Sequence, residues 1–150
     1  VLAAGFDRPG SLPVLVAPAP ADVASRHFTL LDAVRQFIVK RDDSLTVIAG
    51  YPWFLDWGRD TLICLRGIAA AGELAAVRDI LKTFARYEKA GTLPNMIRGH
   101  DDSNRDTSDA PLWFFTSVAD LLQREGHDGF LDETAGDRTV RQVLISLGHG

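Results

Sequence analysis

An all-α fold is what this sequence predicts, on three observations. Apolar residues recur at helical spacing in five separate stretches. Stretches that are apolar most of the way round alternate with stretches that have a single apolar face. Gly72 and Gly91 stand where two of them stop. Helical hairpins packed in concentric layers would produce that alternation. No internal repeat of fixed period accompanies it.

The first helix is expected from Asp22 to about Lys40, on Val23, Leu30, Leu31, Val34, Phe37 and Ile38. Pro20 suits its first turn, because the missing N–H would have had no partner there. Before it, Pro9, Pro13, Pro18 and Pro20 predict an irregular lead-in over residues 1–21, with a short extended piece at Leu12–Val16. Leu45–Ala49 leans towards a strand. A second helix starts between Asp56 and Thr61 and runs to Ala71. Its Leu62, Ile63, Leu65, Ile68 and Ala69 wrap most of the way round, so burial on more than one side is expected. Gly72 ends it.

The third helix, Glu73–Ala90, turns Leu74, Val77, Ile80, Leu81 and Phe84 inward, and Arg78, Asp79, Lys82, Arg86 and Lys89 towards water. Gly91 closes it. Residues 92–108 are polar and predict a loop. A fourth helix follows over Ser108–Glu125; Pro111 excludes a start earlier than about Thr107, because its ring would clash with a carbonyl four residues back. Gly126–Gly136 predicts a loop and Arg138–Leu147 a fifth helix.

With 150 residues, of which 46% are hydrophobic and 24% charged, the chain can build one domain with a substantial core. A net charge of −4 gives no general attraction for nucleic acid or anionic lipid. No apolar run approaches a membrane span, and residues 1–10 lack the pattern of a signal peptide. A cytoplasmic location is the expectation. The single cysteine, Cys64, lies in an apolar helical stretch and is expected to be a small core residue. The four histidines show no metal-ligand spacing, and His100-Asp-Asp102 reads as a solvated charged loop.

The chemistry concentrates in residues 49–61, where Tyr51, Trp53, Phe54 and Trp57 are interleaved with Asp56, Arg59 and Asp60. Flat aromatic faces stack on sugar rings, while carboxylates and guanidinium groups bind hydroxyls through directional hydrogen bonds. A carboxyl group in such a place can also protonate a glycosidic oxygen. The composition of this segment points to carbohydrate. For Asp60 the structural alternative is a helix N-cap. For Asp56 and Arg59 it is an ion pair with each other. Asp109 and Trp113 are four apart and share a helix face, open either to a pocket or to the core.

Tyr51-Pro-Trp-Phe-Leu-Asp-Trp-Gly-Arg-Asp-Thr61 resembles the hallmark segment of the glucosidase domain of glycogen debranching enzymes, the amylo-α-1,6-glucosidase family. The resemblance continues in order through Leu81-Lys-Thr-Phe-Ala85, Gly91-Thr-Leu-Pro-Asn95 and Asp106-Thr-Ser-Asp-Ala-Pro-Leu-Trp-Phe-Phe115. It implies a toroid of six helical hairpins, an (α/α)6 barrel, with the active site on loops that enter its inner helices. It implies inverting hydrolysis of α-1,6-linked glucose at branch points of an α-glucan, with neither metal nor cofactor. Asp60 is then the expected general acid. Trp53, Asp56, Trp57, Arg59, Asn95, Asp109 and Trp113 are the expected sugar contacts, with Arg98 and Asp106 weaker candidates. An ordinary aspartic acid, with a pKa of about 4, is ionised at neutral pH, so burial beside Trp53 and Trp57 is expected to raise Asp60 while Arg59 opposes it.

Two features depart from the family pattern. Asp106 stands where most members have asparagine. The chain also supplies fewer than half of a toroid's helices, so residues 22–150 are expected to be the N-terminal portion of the domain, with the general base beyond Gly150 and the remainder of the parent domain needed for a complete site. Such a piece would expose apolar surface that a soluble monomer seldom tolerates. The alternatives are another toroidal glycosidase, trehalase-like or oligosaccharide-processing, and a carbohydrate-binding fragment without turnover.

Overall fold

The computed structural model describes residues 23–51, 54–106 and 108–150. The predicted lead-in, its extended piece, Pro20 and Trp53 lie outside them. The described chain is mostly helical: α1 (Val23–Phe37), α2 (Gly58–Ala70), α3 (Leu74–Arg86), α4 (Ala110–Glu125) and α5 (Val140–Leu147). Three small antiparallel ribbons lie between them: β1 (Ile38–Arg41) with β2 (Ser44–Val47), β3 (Asp56–Trp57) with β4 (Met96–Ile97), and β5 (Thr134–Ala135) with β6 (Arg138–Thr139).

These ribbons correct several helix ends. The first helix stops at Phe37, not Lys40. Ile38 and Val39 continue the helical spacing, but both are β-branched, and the Asp42-Asp43 turn folds them back on Thr46 and Val47. Asp42 takes a left-handed φ of 51° in that turn, a conformation that aspartate tolerates better than most residues. The third helix stops at Arg86, one turn short of the expected Ala90. Gly91 therefore does not cap it; Ala90 and Gly91, both with positive φ, form a tight turn between Lys89 and Thr92. The loops expected at 92–108 and 126–136 contain β4, a 3-10 turn (Gly129–Asp132) and β5.

Of the remaining ends, that of α2 lies within one residue of expectation, while α4 and α5 each start two residues later than Ser108 and Arg138. Gly72, with φ of 88°, ends α2: its N–H donates to Ala69 and the Glu73 N–H to Ile68, a Schellman pair that satisfies two last-turn carbonyls. Helix α4 begins at Ala110 with Pro111 in its first turn. Helix α5 begins later than Arg138, because Thr139 and Gln142 form a reciprocal capping box that fixes its start at Val140.

The core joins Leu62 and Leu65 of α2, Val77, Ile80, Leu81 and Phe84 of α3, and Phe114, Val118 and Leu121 of α4, with Leu93, Ile97, Phe130 and Val143 closing it. The Ser117 hydroxyl donates to the Leu62 carbonyl at 2.8 Å, a buried tie between α4 and α2. Arg78 and Lys82 do not face open water as the helical wheel suggested. Arg78 pairs with Glu125 and Glu133 and lies 5.2 Å from the Phe130 ring, and Lys82 reaches Glu133 at 3.1 Å. Helix α2 is buried on one side only: Ile63, Cys64 and Gly67 are exposed along the other.

Candidate active site

The start of α2 is held by two segments distant in sequence. Strand β3 pairs Asp56 with Ile97 and Trp57 with Met96. Trp57 is the extended residue before the helix, so Gly58, Arg59 and Asp60 make up the first turn, and Asp60 is not the N-cap. The Gly58 N–H, one of the donors a helix start leaves without an intrahelical partner, donates to the Asn95 carbonyl at 2.8 Å. The Asn95 N–H donates in turn to the Asn104 carbonyl at 2.8 Å.

Beside this turn lies an open cleft of about 870 Å³, within the usual range for small-molecule sites. Val34 and Phe37 of α1 form one wall, Ile48 and Phe54 another, and Trp57, Asp60, Ile63, Cys64 and Gly67 the third. Most of the lining is apolar; Arg59 and Asp60 supply its charge. Asp60, Ile63, Cys64 and Gly67 are spaced i, i+3, i+4 and i+7, so they share one face of α2. Asp60 is exposed, not buried beside tryptophan as expected. Arg59 is paired with Asp109, Nη1 to Oδ2 3.7 Å, across a gap open to solvent.

Asp56 has a different setting. It is buried and faces Arg41, Nε to Oδ2 3.2 Å, so the expected pairing of Asp56 with Arg59 does not form. Burial pushes the Asp56 carboxyl above its usual range, against the pull of the Arg41 charge, a backbone hydrogen bond and Thr46. Arg41 also donates to the Gly99 carbonyl at 2.6 Å and lies 5.9 Å from the Tyr87 ring. One side chain thus links the β1–β2 hairpin to the β3–β4 ribbon.

The cleft brings together Trp57, Arg59 and Asp60, with Asp109 joined through Arg59. Asn95 sits behind this turn and braces it through its backbone. Asp56 does not line the cleft, and Trp113 is half-buried against the core rather than turned into it. Arg98 and Asp106 are exposed and line no part of it. Cys64 corrects the sequence expectation: it is exposed on the cleft wall, and partial burial together with the nearby Asp60 charge pushes its thiol pKa up. Sequence reasoning also passed over Ile48, Gly67 and Arg41. The spacing from Asp60 would have found Gly67; nothing local marks Arg41.

Among the described residues no group of three or more His, Cys, Asp or Glu side chains is arranged to hold a metal ion, and no helix is long and apolar enough to cross a membrane. No solved structure matches the chain. The amylo-alpha-1,6-glucosidase family model matches residues 32–150, which takes in β3, the first turn of α2, the Asn95 loop and α4. The chain therefore belongs to the amylo-α-1,6-glucosidase family of debranching-type glycoside hydrolases.

Proposed function

We propose that this chain carries the general acid and part of the sugar site of an inverting glucosidase that releases α-1,6-linked glucose from glycogen-type branch points. The observation that carries the proposal is the shared placement of Trp57, Arg59 and Asp60 on one cleft. Trp57 offers a flat face to a sugar ring, and Arg59 offers donors to its hydroxyls. Asp60, exposed at the mouth of the cleft, delivers a proton to the departing oxygen once the bound sugar shields it from water. An inverting site places the second carboxylate about 6.5–9.5 Å from the first, leaving room for the attacking water. That base is assigned to no residue of the 150, and we read the five helices as one part of an (α/α)6 toroid, a reading supported by the mostly helical fold and the family match.

The test is Asp60→Asn in the full-length protein, followed by glucose release from a branched limit dextrin and, separately, from trehalose. Loss of dextrin hydrolysis with native folding retained supports the assignment. Undiminished hydrolysis by the variant removes Asp60 from the chemistry, and a preference for trehalose moves the enzyme to the trehalase-like alternative.

A further inference from the structure

Arg41 ends β1 and lines no part of the cleft. Its guanidinium nevertheless meets the ribbon that leads into α2. Nε stands 3.2 Å from Asp56 Oδ2 on β3, and Nη2 donates to the Gly99 carbonyl, two residues past β4, at 2.6 Å. The Arg41 and Asp56 side chains are only 14% and 6% exposed, so salt and water screen their attraction little. The same hairpin holds α2 one residue past Asp60: the buried Thr61 hydroxyl donates to the Val47 carbonyl at 3.2 Å. The hairpin is itself fastened to α3, where the Thr83 hydroxyl reaches the Leu45 carbonyl at 2.9 Å. Trp57, Arg59 and Asp60 thus lie between two attachments, at Asp56 and at Thr61, to one anchored hairpin.

We propose that Arg41 is a positioning residue for proton delivery: through Asp56 it fixes the direction from which Asp60 meets the departing oxygen. The inference rests on the glucosidase reading and adds what holds its acid in place. Asp60 is exposed, so its aim depends on the backbone beneath it. Asp56 lies four residues before Asp60, and the first turn of α2 fills the interval. Displacing a reacting group by about 1 Å can cost roughly a hundredfold in rate. Arg41 stands outside the cleft, so its effect reaches the chemistry only through that turn.

The experiment compares two substrates in the full-length protein, a branched limit dextrin and α-glucosyl fluoride. Dextrin releases a sugar oxygen that must receive a proton as its bond to the glucosyl carbon breaks. From the fluoride, the C–F bond breaks and fluoride leaves with the electron pair, needing no proton. In both, water forms the new bond to carbon and gives its proton to the base. Arg41→Met is expected to lower kcat on dextrin about 10- to 100-fold and to leave fluoride hydrolysis little changed. Asp60→Asn should show the same selective loss, only larger. Arg41→Lys keeps a charge beside Asp56 but loses the second arm to Gly99, and its dextrin rate should fall between wild type and Arg41→Met. Arg41→Met leaves a buried carboxylate unpaired, so circular dichroism accompanies it. If that variant does not fold, Arg41→Lys decides by the same ratio of the two rates. An equal loss on both substrates, as general loosening would give, or an unchanged dextrin rate overturns the proposal. Failure of the glucosidase reading shows differently: Asp60→Asn itself keeps the wild-type dextrin rate, and the role given to Arg41 falls with it.

Discussion

The Asn95 carbonyl accepts the Gly58 N–H at 2.8 Å, and this contact joins the two sequence segments most diagnostic of the site. Gly58 is required here for space, not for an unusual backbone angle. A Cβ at this position would lie 2.2 Å from the Pro94 carbonyl oxygen, a backbone atom that cannot swing aside. Gly58→Ala should therefore cost about 2–3 kcal/mol, the scale of overpacking against a fixed partner. Urea unfolding checks this. A midpoint equal to wild type would mean that the ribbon gives way freely.

Glu88 has a fully buried carboxylate that accepts from the Gly91 N–H and the Ser146 hydroxyl and pairs with Arg138. Burial by itself would raise its pKa; the Gly91 N–H, Arg138 and Ser146 outweigh it and hold the pKa below the usual glutamate value. A lowered carboxyl contributes stability above its unfolded pKa and loses it as pH falls through the folded value. Glu88→Ala should cost about 3–5 kcal/mol at neutral pH, because it leaves a guanidinium and a hydroxyl without their acceptor. Denaturation at pH 7 and at acid pH should show this difference shrinking as pH falls.

Asp56 behaves with the opposite sign. Its carboxyl is raised, so the folded state holds the proton more tightly than the unfolded chain does. The stability this gives is fully present below the ordinary value of 3.8 and is lost as pH rises through the folded value. Wild-type stability relative to Asp56→Asn should thus decline with rising pH across that window. A flat difference would place the carboxyl in a more aqueous setting than the fold shows.

Catalysis should respond to Asp60 more than to any other described side chain. Loss of a general acid typically costs a factor of about 10²–10⁴, and Asp60→Asn should fall in that range on a branched limit dextrin. Rate measurement beside an unfolding curve separates lost chemistry from lost structure.

Cys64 should be chemically accessible but slow. It is exposed on the cleft wall, so one equivalent of iodoacetamide should label the native protein. Its raised pKa reduces the thiolate, the reactive form, and the rate at mildly alkaline pH should be below that of an unstructured thiol. Mass spectrometry against a short cysteine peptide provides the comparison.

The helices were legible because burial of one face imposes a period that the residues themselves display. Val77, Ile80, Leu81 and Phe84 are read as an inward stripe from spacing, and all four are buried. The candidate site was legible in part for a different reason. Trp57, Arg59 and Asp60 are close in sequence as well as in space, so one short segment carries both the chemistry and the family resemblance. The hairpin at Ile38–Val47 was hidden because its first residues continue the helical period, and only cross-strand pairing shows where the helix has stopped.

What the sequence by itself determined is local: the apolar faces of the helices, the glycine that ends α2, the proline at the start of α4, and an aromatic segment set with carboxylates. Tertiary structure decided which partners those groups find. Asp56 turned to Arg41 rather than Arg59, Asn95 became a brace rather than part of the cleft wall, and Cys64 faced the cleft rather than the core. Period and propensity act over a few residues, whereas these pairings cross 15 or more positions of chain and form only when separate elements pack together.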